Sequence, residues 1–195
     1  MSKRIITISR EFGSGGRYIG QLLAEELGYK YYDKDLIEKV AKETGFDEEY
    51  IEKRGEYANG SSLLSYIFSS RTSTGMSVDD YVFNAQKKII KEIADGQPCV
   101  IVGRCADFIL RDRDDVLDVF IMGEMPEKIK RVCKSYDVDQ IQAEKMIKDM
   151  DKKREINYQY CTERKWAMSK NYDLCLNSSQ IGYEGCVAII KKFLA

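Results

Sequence analysis

Arg10-Glu-Phe-Gly-Ser-Gly-Gly-Arg17 is the stretch of the sequence that decides the fold. It follows a short β-branched run containing Ile5, Ile6 and Ile8, and it precedes a segment whose apolar residues recur at helical spacing. Glycines in such a turn let backbone N–H groups approach an anion, and the following helix directs its positive dipole end at the same point. The order strand, glycine-rich turn, helix therefore predicts a phosphate-binding loop.

The turn departs from the complete motif, in which a glycine is followed by four residues and then Gly-Lys-Ser/Thr. Arg10 occupies the first glycine position and Gly16 falls on the lysine, and neither Arg17, directly after it, nor Tyr18 is the Ser or Thr whose hydroxyl usually reaches magnesium. Arg17 is the predicted replacement for the lysine as phosphate cation. The alternative interpretation is a tight strand-to-helix turn without a ligand. The predicted phosphate-binding residues are Arg10, Gly13, Ser14, Gly15, Gly16, Arg17 and Tyr18.

Apolar strand patterns alternate with helical patterns along the rest of the chain, which predicts a parallel sheet with helices on both faces. Ligands of such sheets bind at the carboxyl ends of the strands, so Arg10, Asp33 and Arg104, which follow three strands, are expected to converge. A long charged helix is predicted over 139–166 and a closing helix over 182–195. The predicted strands cover residues 5–8, 29–32, 99–102, 116–122 and 172–177.

Composition limits the class of protein. A chain of 195 residues with 44% apolar and 32% charged side chains is typical of one folded, helix-rich domain. The formal net charge of -1 gives no whole-chain reason to expect nucleic acid or a membrane as partner. Histidine is absent from the sequence, which excludes imidazole catalysis, whereas phosphoryl transfer remains possible because it depends on positioning and charge stabilisation.

The cysteines and the apolar runs indicate the compartment. The 6 cysteines form no Cys-x-x-Cys pair and are interpreted as reduced thiols. No apolar run is long enough for a signal-peptide core or a membrane span. We therefore expect a cytoplasmic protein.

Four segments of the chain resemble the cytidylate kinase-like family, relatives of the bacterial cytidylate kinases among the nucleoside monophosphate kinases. They stand in the family's order and cover residues 6–17, 31–37, 102–110 and 172–178. The resemblance implies a three-layer α/β fold of the P-loop NTPase type, with an inserted helical substrate lobe and a lid. It also implies phosphoryl transfer from ATP, with magnesium, to a nucleoside monophosphate, CMP or dCMP being favoured.

The missing lysine and hydroxyl keep two alternatives open. The first is a kinase of another small-molecule acceptor, since a fold does not determine a substrate. The second is a nucleotide-binding sensor without catalysis.

The resemblance assigns acceptor-side roles to residues after two strands. Asp33 matches an aspartate near the acceptor nucleotide, although a helix N-cap is an equal alternative. Arg104 matches an arginine that grips the acceptor, Cys105 replaces the acid that follows it, and Asp107 lies close by in sequence. The predicted substrate-binding residues are Asp33, Arg104 and Asp107, and the predicted catalytic residues are Arg17, Arg104 and Arg154.

Two further segments are assigned by composition and resemblance. Residues 46–76 are rich in loop-forming types and are predicted to form the inserted substrate lobe. Residues 149–166 resemble the lid, in which Lys153, Arg154 and Arg164 would close over the transferring phosphoryl group. Interleaved acids leave a solvated helix face as the alternative.

Overall fold

A five-stranded parallel sheet forms the centre of the molecule in a computed structural model that describes residues 3–49, 51 and 77–194. Its strands are β1 (Ile5–Arg10), β2 (Lys30–Tyr32), β3 (Cys99–Val102), β4 (Val116–Met122) and β5 (Leu174–Asn177). They lie in the order β2-β3-β1-β4-β5, and each neighbouring pair is parallel. The glycine-rich loop thus leaves the central strand at the carboxyl edge of the sheet.

Helices cover both faces of this sheet, as predicted. Ile6 and Ile8 point to a core shared with α1 and α7, whereas Ile5 points to a second core shared with α2 and α3. The helices described are α1 (Gly16–Leu27), α2 (Lys34–Thr44), α3 (Val78–Asp95), α4 (Ala106–Ile109), α5 (Met125–Tyr136), α6 (Gln140–Thr162) and α7 (Ser178–Leu194). The three-layer α/β fold is therefore confirmed.

Local capping signals fix several helix ends. Gly28 and Gly45 adopt the left-handed conformation after α1 and α2, with φ of 68° and 75°. Ser77 caps α3, since its Oγ accepts a hydrogen bond of 3.1 Å from the Asp80 N–H. Pro126 lies in the first turn of α5.

The last two predicted helices differ from the structure at their ends. The helix predicted over 139–166 ends at Thr162, because Glu163 takes a left-handed φ of 58°. The closing helix begins at Ser178 rather than Gly182, and Gly182 kinks it with φ 72° and ψ 174°.

The substrate lobe predicted at 46–76 lies almost entirely outside the described residues and stays a prediction. Ile51 is described, and its carbonyl accepts a 3.4 Å hydrogen bond from Arg104 Nη1. Among the helices of the described residues, none combines the length and apolarity that a membrane crossing requires.

Asp118 on β4 makes the free energy of unfolding depend on pH. Burial raises the pKa of Asp118 from 3.8 to about 7, and its Oδ1 accepts a 2.5 Å hydrogen bond from Thr7 Oγ1. Because the folded pKa lies above the unfolded one, this carboxyl favours folding most below its unfolded pKa. That contribution is lost as the pH rises through the folded pKa.

We expect Asp118→Asn to be more stable relative to wild type at about pH 8 than at about pH 4.5, because the amide carries no buried charge. Urea unfolding of both proteins at the two pH values measures this. An identical stability difference at both pH values would contradict the prediction.

Candidate functional site

The glycine-rich loop between β1 and α1 forms a backbone cradle. Gly13 and Gly15 adopt positive φ of 78° and 81°, a region that side chains with a β-carbon disfavour. A β-carbon on Gly13 would lie 3.0 Å from Val132, and one on Gly15 only 2.3 Å from the Tyr183 ring. Glycine is therefore required at both positions, at Gly13 by close packing from α5 and at Gly15 by close packing from α7.

An open cavity of about 240 Å³, here called the loop cavity, lies against this cradle. Four arginines reach it, namely Arg10, Arg17, Arg131 and Arg154. The other predicted loop residues that line it are Gly13, Gly15, Gly16 and Tyr18. A glycine turn, a helix N-terminus and several guanidinium groups facing one volume form an environment suited to an anion with several negative charges.

Two predicted loop residues use their side chains within the protein. Ser14 is fully buried, and its Oγ donates a 2.8 Å hydrogen bond to the Glu11 carbonyl. Tyr18 packs its ring against Tyr183, with 5.2 Å between the ring centroids. Ser14 therefore closes the turn of the loop, and Tyr18 contributes an aromatic wall to the loop cavity.

Arg17 and Asp33 form an ion pair. Arg17 Nε lies 3.0 Å from Asp33 Oδ2, and the Asp33 side chain is nearly buried whereas that of Arg17 is 39% exposed. The alternative role of Asp33 as a helix cap is not supported, because its side chain makes no capping hydrogen bond to α2. The ion pair joins the predicted phosphate cation to the predicted acceptor aspartate.

A strained turn after β3 holds Arg104. Gly103, Arg104 and Cys105 take left-handed φ values of 72°, 60° and 54° in succession. The two non-glycine residues each cost about 1–2 kcal/mol in this conformation. Gln86 on α3 stabilises the turn by donating a buried 2.9 Å hydrogen bond from Nε2 to the Arg104 carbonyl. Strain that surrounding contacts maintain in this way is characteristic of functional sites.

Arg104 lines a small cavity of about 30 Å³, here called the arginine cavity, together with Arg10 and Arg154. Asn157, Tyr158 and Trp166 also line it. The structure therefore brings Arg10 and Arg104 together, as the strand-end argument expects. Asp33, the third member of that expected set, approaches the loop cavity through its ion pair with Arg17.

Asp107 differs from its predicted role as an acceptor ligand. Its side chain is buried, and its Oδ2 accepts a 2.6 Å hydrogen bond from the Tyr158 hydroxyl. Burial raises the pKa of the Asp107 carboxyl. Asp107 lines neither cavity and instead holds Tyr158, whose ring forms part of the arginine-cavity wall.

The predicted lid cations separate in the structure. Arg154 is buried within α6 and donates a 3.0 Å hydrogen bond from Nη1 to the Arg10 carbonyl. Arg164 lies over the Phe108 ring, with 5.1 Å to the centroid, and Lys153 lines neither cavity. Arg154 therefore already lies between the two cavities and needs no lid closure to reach them.

A buried lysine under the loop is missed by sequence reasoning. Lys128 Nζ lies 2.9 Å from Glu11 Oε2 and 3.4 Å from Asp151 Oδ2. Glu11 also accepts a hydrogen bond from the Gly123 N–H, and Asp151 accepts one of 2.6 Å from the Phe12 N–H. This network fixes the start of the loop to α5 and α6.

Arg131 and Tyr183 are also missed. Arg131 Nη1 donates hydrogen bonds to the Gly13 carbonyl at 3.2 Å and to Ser178 Oγ at 3.1 Å. Its guanidinium lies 4.9 Å from the centre of the Tyr183 ring. One sequence signal could have pointed to these cations. The three-residue spacing of Lys128 and Arg131 places both on one face of the helix after Pro126.

Removing the Lys128 charge is expected to destabilise the fold. Lys128→Met would leave two acids facing each other, and we expect a loss of about 3 kcal/mol in the free energy of unfolding. The control is Lys148→Met, whose exposed pair with Glu144 contributes less than about 1 kcal/mol. Urea unfolding of both variants measures the difference, and equal stability of the two would contradict the assignment.

Known proteins resemble this chain in sequence and in fold. A model of the cytidylate kinase-like family matches residues 5–180. The chain belongs to this family. Membership supports phosphoryl transfer of the nucleotide-kinase type, and the resemblance drawn from the sequence is confirmed. Among the curated proteins, none matches the sequence of this chain.

Solved structures support the same fold for this member of the cytidylate kinase-like family. An uncharacterized protein from Eubacterium ventriosum is similar over 98% of both chains, with 29% identity and a TM-score of 0.75. The shikimate kinase from Bacteroides thetaiotaomicron is similar over 97% of both chains, with 13% identity and a TM-score of 0.56. The Acinetobacter baumannii shikimate kinase, solved with shikimate, gives 14% identity and a TM-score of 0.54 over 98% of this chain and 93% of its own. At these identities the two kinases show the fold alone.

Proposed function

We propose that this protein transfers the γ-phosphoryl group of ATP to a nucleoside monophosphate, with CMP or dCMP as the favoured acceptor. The observation that carries this proposal is that the loop cavity and the arginine cavity share two of their lining residues, Arg10 and Arg154. A donor phosphate chain in the first cavity and an acceptor phosphate at the second would meet at these two cations. Membership of the cytidylate kinase-like family supports the same reaction class.

The donor nucleotide is proposed to occupy the loop cavity. Backbone N–H groups of Gly13 to Gly16 and the N-terminus of α1 would bind its phosphates. Arg131 and Tyr183, which stack at the edge of the same cavity, would contact the sugar and base end.

The acceptor is proposed to bind through Arg104. The Arg104 side chain is buried and its Nη1 donates to the Ile51 carbonyl, so it is ordered before substrate arrives and little conformational entropy is lost on binding. Arg154 would stabilise the charge that develops on the transferred group, and the reaction requires little from a general base. Arg17 and its partner Asp33 would border the phosphate end of the donor.

The described residues offer a poor fit to magnesium. No group of three acidic or cysteine side chains forms a metal cluster among the described residues. Arg17 occupies the position of the usual hydroxyl ligand, and the ring of the next residue, Tyr18, packs on Tyr183. If magnesium takes part, we propose that oxygens of the nucleotide and water hold it, and no step above depends on a protein ligand to it.

A coupled ADP-release assay with ATP and a panel of acceptors tests the proposal. The panel contains CMP, dCMP, UMP, AMP, GMP and shikimate, and we expect the highest kcat/KM with CMP or dCMP. Transfer to shikimate alone would favour the kinase of another small molecule. Thermal stabilisation by ATP with no turnover of any acceptor would favour the sensor, the alternative that the missing lysine at Gly16 motivates.

A further inference from the structure

The residue at the lysine position of the motif is a glycine for a steric reason. A β-carbon on Gly16 would stand 2.5 Å from Arg10 Cβ and 2.9 Å from Arg10 Cγ. Real β-carbons do not approach other carbons so closely. The side chains of positions 10 and 16 therefore compete for one space, and Arg10 fills it.

This competition inverts the usual arrangement of the loop. The complete motif has a glycine at its first position and a lysine that reaches the β- and γ-phosphates at its seventh. Here the first position carries the cation, Arg10, and the seventh position, Gly16, carries none. The loop therefore keeps one cation of this pair of positions. The cation extends from Arg10 at the end of β1 and not from position 16 at the start of α1.

The surroundings of Arg10 agree with this replacement better than those of Arg17. Arg10 is buried and lines both the loop cavity and the arginine cavity. Arg17 lines the loop cavity, is 39% exposed and lies 3.0 Å from the Asp33 carboxylate. A buried cation that lines both cavities is placed to contact a group that lies between them, whereas Arg17 lines only the loop cavity of the two.

We propose that Arg10 supplies the phosphate-binding charge that the motif ordinarily takes from its lysine, and that it contacts the transferring phosphoryl group between the two cavities. The inference rests on the proposed function for its chemistry. It replaces the sequence-based assignment of this role to Arg17.

Exchanging the two positions tests the inference. We expect Arg10→Gly to lower kcat roughly 10²-fold, the order of loss seen when one transition-state charge partner is removed. Gly16→Lys alone should also be impaired, because its side chain meets Arg10. The double variant Arg10→Gly with Gly16→Lys restores the ordinary order and should recover at least about tenfold over either single variant. A double variant no more active than the singles would overturn the inference.

Binding of inorganic tripolyphosphate, measured by calorimetry, separates this inference from the proposed function. Wild type should bind it and Arg10→Gly should bind it at least about tenfold more weakly, while the control Arg111→Gly, remote from both cavities, should bind as wild type does. Equal binding by Arg10→Gly and wild type would overturn the role of Arg10 whatever the acceptor. Weakened binding by Arg10→Gly would support it even in a protein that turns over no nucleotide.

Discussion

Replacing Arg154 by methionine is expected to lower kcat for phosphoryl transfer roughly 10³-fold, the lower range for arginines that stabilise phosphoryl-transfer transition states. Arg154 is buried, lines both cavities and is held by the Arg10 carbonyl, so its charge has a fixed position beside the transferred group. Methionine keeps the length and the apolar packing of the stem but removes the charge. Steady-state kinetics with ATP and the preferred acceptor measures the loss.

The neighbouring residue provides the control for this variant. Lys153→Met removes a cation from the same turn of α6, but Lys153 lines neither cavity, so its kcat should remain within about twofold of wild type. Circular dichroism and the melting temperature report whether either variant is unfolded. Equal activity of the two variants would contradict the placement of Arg154 at the reacting group.

Replacing Gly15 by alanine is expected to lower phosphoryl transfer roughly 10²-fold or more, because a small displacement of reacting groups has this effect. Alanine there combines a positive φ of 81° with a β-carbon 2.3 Å from Tyr183. Either the loop or the Tyr183 ring must move, and both line the loop cavity. The Kd for ATP and the kcat/KM of the variant measure the effect.

Gly28→Ala is the matched control. Gly28 also has a positive φ, 68°, but a β-carbon there meets nothing within 4 Å. Both variants should lose about 1 kcal/mol of stability from the backbone, while Gly15→Ala alone should lose activity. Comparable kinetic losses in both variants would show that backbone strain rather than the cradle causes the defect. In a Tyr183→Ala background, which removes the ring contact, Gly15→Ala should lower the ATP affinity less than it does in the wild-type background.

Local signals allowed most of the fold to be predicted. Short apolar or aromatic runs identified the strands, and Gly28, Gly45 and Pro126 marked helix ends through conformations that the backbone alone determines. The alternation of strands and helices then fixed the parallel sheet, because right-handed crossovers leave few other arrangements. Residues that end parallel strands meet at one edge, which is why Arg10 and Arg104 could be placed together.

The rest depends on contacts between distant parts of the chain. In the sequence, Lys128 looks like any other charged residue of a helix. Its burial becomes apparent only when the fold brings Glu11 and Asp151 close to it. Asp107 lies close to Arg104 in sequence, but its side chain turns inward to Tyr158, which comes from α6. The lid assignment grouped Arg154 with Arg164 by composition and resemblance, but Arg154 lies within α6 and Arg164 follows its end, in different surroundings.

The loop from Gly13 to Arg17 is proposed to bind the phosphates of a nucleotide. Titration of the ¹⁵N-labelled protein with ATP and magnesium, followed through the backbone amide resonances, tests it most directly. We predict that the largest shifts belong to Gly13, Gly15, Gly16 and Arg17. Unchanged loop resonances, with shifts confined to the cleft lined by Lys30, Lys39 and Lys42 between α2 and α3, would show that the nucleotide phosphates do not bind at the loop.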